Sequence, residues 1–210
     1  MNNNFKIKRM VGISVLIALV IVLQFISNYI TIGTINITLA LIPITIGAIL
    51  YGPYVGGALG IVMGIVVLFA PSTAIFFGVN ATYTVFICLF KTGLAGLISG
   101  FVFKGFSVLA QNKEKKLVYY YIGIITASLL VPLINTSIFI LSAPLVFKEL
   151  FGNFVMVISA VLTTNFLIEF LVSTSLSPTI SYIIKILTKE TNMGFSRDLD
   201  IYNWGLINDY

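Results

Sequence analysis

Two ionisable residues, Lys91 and Glu169, lie inside long apolar runs and are the first candidates for chemistry. A charged side chain at the centre of a membrane-spanning helix costs about 2.5 to 3.5 kcal/mol on insertion scales, so its presence there is a functional hypothesis by default. Lysine supplies a cation for a carboxylate or phosphate group of a ligand. The alternative is that Lys91 and Glu169 neutralise one another as a structural pair.

Four neutral polar residues accompany these charges: Asn80, Tyr83, Asn135 and Asn165. Amides both donate and accept hydrogen bonds, so together with a lysine they can hold a polar anion. By helix rise, Lys91 lies about 12 Å and Asn135 about 9 Å below the outer surface, so we expect the polar groups to converge on one cavity open to the exterior. For Asn135 and Asn165 the alternative is structural, either satisfying backbone groups freed near Pro132 or joining helices.

The residue types that are missing narrow the function classes. The chain has no histidine and a single cysteine, Cys88, within an apolar run, which excludes a disulfide framework and histidine-based metal or base chemistry. No G-x-x-x-x-G-K-[ST] run is present, so this chain does not hydrolyse ATP itself. Its seven acidic residues lie mostly in connections and the tail. We therefore expect a binder or transporter without a metal or cofactor, not an enzyme.

The elements that must position these residues are membrane spans. Apolar residues make up 59% of the 210-residue chain and charged residues only 9%, with a mean hydropathy of +1.08. A soluble domain carries roughly 25% charge, so the composition indicates an integral membrane protein. The net charge of +5 comes from basic residues that lie between the apolar runs, a pattern that indicates membrane topology and not a nucleic-acid-binding face.

Six spans are predicted. Their approximate bounds are 10–29, 37–50 with a break at Pro43, 53–69, 83–103, 117–141 with a break at Pro132, and a last stretch ending near 187. That last stretch is longer than one span, so part of it is a surface or re-entrant piece. Residues 70–82 form a connection. The spans make one membrane domain, residues 10–187, between a cytoplasmic N-terminal segment, 1–9, and a cytoplasmic tail, 188–210.

Glycines recur every four residues just before and within the third span, at positions 52, 56, 60 and 64. On a helix this spacing places them along one stripe. A stripe without side chains lets a neighbouring backbone come close, which favours helix association in lipid. A second set, Gly93, Gly96 and Gly100, lies in the fourth span.

The basic residues predict the orientation. Six spans place both ends on one side, and ten of the 12 basic residues fall in the ends and the even connections, leaving Lys91 in a span and Lys148 in an odd connection. An excess of positive charge marks the cytoplasmic side. The predicted fold is therefore all-α, a polytopic protein of the plasma membrane with six transmembrane helices and both termini in the cytoplasm.

Four segments together resemble a known family. They are LALIPITIGAILYGPYVGGALGIVMGIV, VFICLFKTGLAGLISGFVFK, PLINTSIF and NFLIEFLVSTSLSP. In this order, on six spans with a short proline-containing second one, they are similar to the substrate-binding S components of energy-coupling-factor (ECF) vitamin transporters. The resemblance covers residues 11–187.

That resemblance implies a membrane binder for a water-soluble vitamin, working with a transmembrane coupling subunit and two cytosolic ATPases. Family members dock the coupling subunit through an AxxxA motif on the first helix, and Ser14 and Ala18 stand at the equivalent positions here. The lysine suits an anionic ligand, and the second-span segment resembles pantothenate-type members, so pantothenate is preferred. Riboflavin, folate or a pyridoxine-like compound are alternatives. The resulting site prediction is Asn80, Tyr83, Lys91, Asn135, Asn165 and Glu169.

A function of another class is a self-sufficient secondary transporter that uses Lys91 and Glu169 as a proton- or ion-coupled pair. Secondary transporters often carry internal repeats. No convincing three-plus-three repeat is visible in the sequence, which favours the vitamin-binding subunit.

Overall fold

The computed structural model describes residues 3–28, 31–32, 35–36, 38–111 and 116–146, with the isolated positions 171 and 175. Its elements, in chain order, are α1 Asn3–Ser27, β1 Thr31–Ile32, β2 Ile35–Asn36, α2 Leu41–Tyr51, α3 Pro53–Leu68, a 3-10 turn Pro71–Thr73, α4 Ala74–Gln111 and α5 Lys116–Val146. The predicted helical architecture is confirmed for these residues, with one addition. The strands β1 and β2 form a two-residue antiparallel ladder between α1 and α2.

Helices that follow one another in the chain pack antiparallel. Ser27 meets Leu39 at one end of the α1–α2 pair, and Arg9 meets Tyr51 at the other. The α4–α5 pair behaves alike, with Tyr83 bonded to Ser142 and the Phe103 ring against the Tyr120 ring. We call the end of the bundle that carries β1, β2 and the 3-10 turn the hairpin end. There α1, α3 and α5 end, and α2 and α4 begin.

The turn between α2 and α3 is built from Gly52 and Pro53. Gly52 has φ 101° and ψ 172°, a backbone conformation that side chains disfavour. Pro53 opens α3, where its missing N–H is not needed. Gly52 therefore belongs to the turn and not to the glycine stripe in which its spacing placed it.

The rest of the glycine stripe is confirmed, and its partner is the second glycine set on α4. A methyl group at Gly56 would lie 2.6 Å from the Gly96 carbonyl oxygen, and one at Gly64 would lie 2.8 Å from the Cys88 carbonyl oxygen. The contacts run in opposite directions along the two helices: Pro53 against Gly100, Gly56 against Gly96, Gly60 against Thr92 and Gly64 against Cys88. The two backbones are in direct contact over this whole length.

The two predicted proline breaks are wrong. Pro43 is the third residue of α2, where a backbone N–H has no acceptor within the helix and its loss is tolerated. Pro132 lies inside α5, which continues through it from Lys116 to Val146. Prolines are tolerated within membrane helices because neighbouring groups replace the lost hydrogen bond. Pro132 is fully buried in the bundle.

The predicted connection over residues 70–82 is also wrong in part. After the 3-10 turn, α4 begins at Ala74, and only Asn80 departs from helical geometry, with φ −155° and ψ 99°. Asn80 therefore divides α4 into a short first part, residues 74–79, and a long second part, residues 81–111. The helix also passes the predicted end of the fourth span and includes Lys104.

The first helix begins before the predicted span, because α1 already includes Lys6, Lys8 and Arg9. Basic side chains have good helix propensity, so the helix extends past the apolar run. Within the described residues, three stretches are long and apolar enough to cross a membrane: Lys6–Ser27, Pro71–Ala110 and Val118–Ser142. The helices α2 and α3 are apolar but shorter. The sixth predicted span lies outside the described residues.

One apolar core joins all five helices. Its innermost members include Val20 of α1, Ile44 of α2, Leu59 of α3 and Val131 of α5. From α4, Ala95 and Phe103 complete it. The core therefore fixes the α1, α4 and α5 positions from which the polar candidate residues project.

Candidate functional site

Lys91 of α4 faces an aromatic ring of α5. Its Nζ lies 5.3 Å from the centroid of the Phe139 ring, within the range of a cation–π contact. The Lys91 side chain is partly buried. This contact places the lysine in the interface between α4 and α5, close to the Phe76 ring, which packs edge-on against Phe139 with 5.8 Å between centroids.

Asn135 lies one turn before Phe139 on the same face of α5. It is 6% exposed, and its Oδ1 has no hydrogen-bond partner among the described residues. Buried polar atoms are almost always paired, so each exception needs an explanation. Lys91 therefore faces the Phe139 ring of α5, and Asn135 lies one turn along α5 from that ring. The structural role considered for Asn135, pairing with backbone freed by Pro132, finds no hydrogen bond to support it in the described part of the chain.

Tyr83 ties α4 to α5 nearer the hairpin end. Its hydroxyl donates a hydrogen bond to the Ser142 carbonyl oxygen over 3.2 Å. Since Ser142 lies one turn beyond Phe139 on α5, Tyr83 borders the same interface as Lys91. The hydroxyl is therefore committed to a helix contact, and its ring remains part of the boundary of the site.

Asn80 has a local structural role. Its Oδ1 accepts a hydrogen bond from the Tyr83 backbone N–H over 3.0 Å, and its carbonyl oxygen accepts one from the Thr84 hydroxyl over 2.8 Å. An asparagine oxygen bonded three residues ahead is a helix N-cap, so Asn80 starts the long part of α4. Its side chain is exposed, and no contact joins it to Lys91 or Asn135 among the described residues.

Buried hydroxyls of α4 are satisfied within their own surroundings. Thr92 donates to the Cys88 carbonyl oxygen over 2.8 Å, and Ser99 donates to the Ala127 carbonyl oxygen of α5 over 2.9 Å. These hydroxyls therefore contribute to helix structure, whereas no hydrogen bond in the described part of the chain engages the Asn135 oxygen. Glu169 and Asn165, the other predicted site residues, lie outside the described residues.

Gln24 of α1 is a candidate that the sequence reasoning missed. It is 5% exposed, and its Oε1, like Oδ1 of Asn135, has no hydrogen-bond partner in the described part of the chain. Its signal in the sequence is a lone amide in an otherwise apolar run near the end of the first span. A neutral amide is a weaker signal than a charge, because its burial costs less free energy.

Ser14 and Ala18, predicted as a docking face, are both exposed on α1. The Ser14 hydroxyl donates to the Met10 carbonyl oxygen over 3.0 Å, which removes its polarity from the helix surface. Exposed apolar residues extend this face along the helix in both directions, namely Val11 and Val22. The result is a smooth apolar strip with small residues at its centre.

The described residues form a bundle of apolar helices, three of them long enough to cross a membrane, which is the architecture of a helical membrane protein. The chain belongs to the ECF transporter, substrate-specific component family, whose model matches residues 8–181. No curated protein and no solved structure gave a significant match. The family consists of transporter subunits and not enzymes, and membership gives no support to the self-sufficient secondary transporter.

Proposed function

We propose that this chain is the subunit of an ECF importer that captures a small anionic vitamin, with pantothenate preferred, at the extracellular side. The observation that carries the proposal is the buried Asn135 oxygen, which lacks a partner among the described residues and lies one turn along α5 from the ring that Lys91 faces. A ligand with a negative group and a hydrogen-bond donor would complete both.

The energetics favour an anionic ligand over an empty interface. A lysine within a span costs about 2.5 to 3.5 kcal/mol, whereas a cation–π contact returns about 0.5 to 2 kcal/mol. The Phe139 ring therefore offsets only part of the cost of Lys91. A carboxylate beside the ammonium supplies the remaining stabilisation and adds charge-assisted hydrogen bonds.

The orientation follows from the charges at the two ends of the bundle. Lys6, Lys8 and Arg9 begin α1 at the end opposite the hairpin end, and Lys104 lies in the last part of α4 at that same end. Positive charge favours the cytoplasm. We therefore propose that the hairpin end, with Tyr83 near it, is extracellular, and that the chain has six spans with both termini inside.

The proposed partners are a transmembrane coupling subunit and two cytosolic ATPases. The exposed strip around Ser14 and Ala18 supports α1 as the docking surface, because small residues let another helix approach closely in lipid. As a plasma-membrane protein without an ATP-binding motif of its own, the chain depends on these partners for energy.

The test is binding and uptake of labelled pantothenate. The purified full chain in lipid nanodiscs is expected to bind it, and vesicles are expected to accumulate it only when an ECF module is present and ATP is supplied. Labelled riboflavin, folate and pyridoxine serve as competitors that identify the substrate. Uptake driven by an ion gradient without the module would contradict the proposal.

A further inference from the structure

A second buried amide lies on a helix that the binding site described above does not include. Gln24 of α1 has its Nε2 engaged as a donor to Asn28 Oδ1 over 2.9 Å, while Oε1 is buried and unpaired within the described residues. Half of this amide is satisfied and half is not. The free half is a carbonyl oxygen, which can only accept a hydrogen bond.

The helix segment that carries Gln24 is held in place by its neighbour Ser27. The Ser27 hydroxyl donates to the Leu23 carbonyl oxygen over 2.7 Å and accepts the Leu39 backbone N–H over 3.0 Å. Through these two hydrogen bonds Ser27 links the last turn of α1 to the start of α2. The Gln24 carbonyl is therefore presented from a fixed backbone, as a binding group needs to be.

Gln24 and Asn135 lie at corresponding heights along the bundle. Val20 and Val131 are both fully buried members of one core, and each amide lies one turn beyond its valine. The helices α1 and α5 run in the same direction, so one further turn leads from both valines toward the hairpin end. The helix α2 packs against both α1 and α5. The two unpaired oxygens thus lie on the hairpin-end side of the same core.

We infer that Gln24 is a second ligand-binding residue, and that the ligand donates one hydrogen bond to Gln24 and another to Asn135 while its anionic group meets Lys91. The inference rests on the proposed function and narrows its substrate class to small anions with at least two hydroxyl or amide N–H donors. Planar anions that carry no hydroxyl or N–H hydrogen-bond donor away from the charged group do not belong to this class. Pantothenate, with two hydroxyls, one amide N–H and one carboxylate, belongs to it.

The test uses Gln24→Met, which keeps the length of the side chain and removes its polar atoms. Binding of tritium-labelled pantothenate to the full chain in nanodiscs is expected to weaken at least tenfold. The melting temperature without ligand is expected to stay about the same, because the variant removes a buried carbonyl that has no partner as well as the hydrogen bond to Asn28. A merely structural amide would behave in the opposite way, with a lowered melting temperature.

Two further measurements keep the test independent of how well the variant folds. Asn28→Ala removes the partner of Nε2 but leaves the Gln24 carbonyl, so its affinity is expected to stay within twofold of the unmodified protein. A pantothenate analogue with one hydroxyl replaced by hydrogen is expected to bind the unmodified protein more weakly. In Gln24→Met the analogue that lacks the hydroxyl facing Gln24 loses no further affinity.

The outcomes separate the inference from the proposed function. If the unmodified protein binds pantothenate and Gln24→Met binds it equally well, Gln24 is no ligand residue and the proposed function stands. Unchanged affinity together with a lowered melting temperature assigns the amide to folding and also overturns the inference. If the unmodified protein binds no pantothenate, the substrate proposal fails and the inference fails with it.

Discussion

Gly56 of α3 lies directly against Gly96 of α4, so that a methyl group at Gly56 would stand 2.6 Å from the Gly96 carbonyl oxygen. Such a distance requires the two helices to move apart. Because α4 carries Lys91, the glycine contact also fixes the position of the lysine relative to the core. This close backbone contact between α3 and α4 is thus connected to the candidate site through one helix.

Gly56→Ala is expected to destabilise the protein by about 1 to 3 kcal/mol, the usual cost of overpacking. Both the Gly96 backbone and the Ala48 side chain oppose the new methyl group. The matched control is Gly105→Ala, since a methyl group there meets nothing within 4 Å. Thermal unfolding in nanodiscs measures both variants. An equal response of Gly56→Ala and Gly105→Ala would show that α3 and α4 are not in close contact.

Lys91→Met is expected to weaken pantothenate binding at least tenfold, or about 1.4 kcal/mol, because the variant keeps the apolar stem and removes the cation. Lys104→Met is the control, since Lys104 lies on the same helix at the opposite end of the bundle. Equilibrium binding of the labelled vitamin measures both, and Lys104→Met is expected to bind normally.

The structural-pair alternative for Lys91 predicts a different result. Removing one partner of a buried ion pair costs about 3 to 5 kcal/mol of stability. If Lys91→Met loses stability but binds normally, and Lys91→Met combined with Glu169→Gln regains that stability, then Lys91 pairs with Glu169 and does not contact the vitamin.

The parts of this fold that the sequence predicts well are those governed by spacing along one helix. The four-residue repeat from Gly56 to Gly64 indicates a close-packed face whatever the partner is, and the contact with α4 confirms it. The partner was not predictable, because several apolar helices could have met that face. The two helix breaks predicted at prolines were wrong because the effect of a proline also depends on its surroundings. Pro132 breaks a helix in water, yet α5 continues through it in a buried setting.

In the candidate site, too, residues with a strong signal in the sequence could be predicted, and residues whose role depends on their neighbours in the fold could not. Lys91 stands out in an apolar run, because charge is rare there. Gln24 carries no charge, and its importance rests on a carbonyl that the fold leaves unpaired, which depends on the three-dimensional neighbours. Asn80 was predicted as a ligand residue although an asparagine before a helical run is also an N-cap signal. Its hydrogen bond to the Tyr83 backbone gives it that second role.

Asn80→Ala is expected to cost about 0.5 to 2 kcal/mol of stability through the loss of the cap. Asn80→Asp retains an oxygen that can accept the Tyr83 N–H, so it is expected to restore the stability. Neither variant is expected to change pantothenate affinity by more than twofold, because Asn80 is exposed and has no contact with Lys91 or Asn135 among the described residues. A tenfold loss of affinity in both variants, without a change in stability, would return Asn80 to the binding site.

Ala18→Phe is expected to leave vitamin binding unchanged and to abolish ATP-dependent uptake. A phenyl ring at the centre of the exposed strip would hold a partner helix away, whereas the proposed vitamin site inside the bundle is untouched. Leu19→Phe is the control, because Leu19 is exposed on α1 but points about 100° away from Ala18 around the helix. Uptake into vesicles that contain the ECF module, compared with binding to the isolated subunit, separates docking from capture. Equal uptake by the two variants would mean that the coupling subunit docks on another surface of the protein.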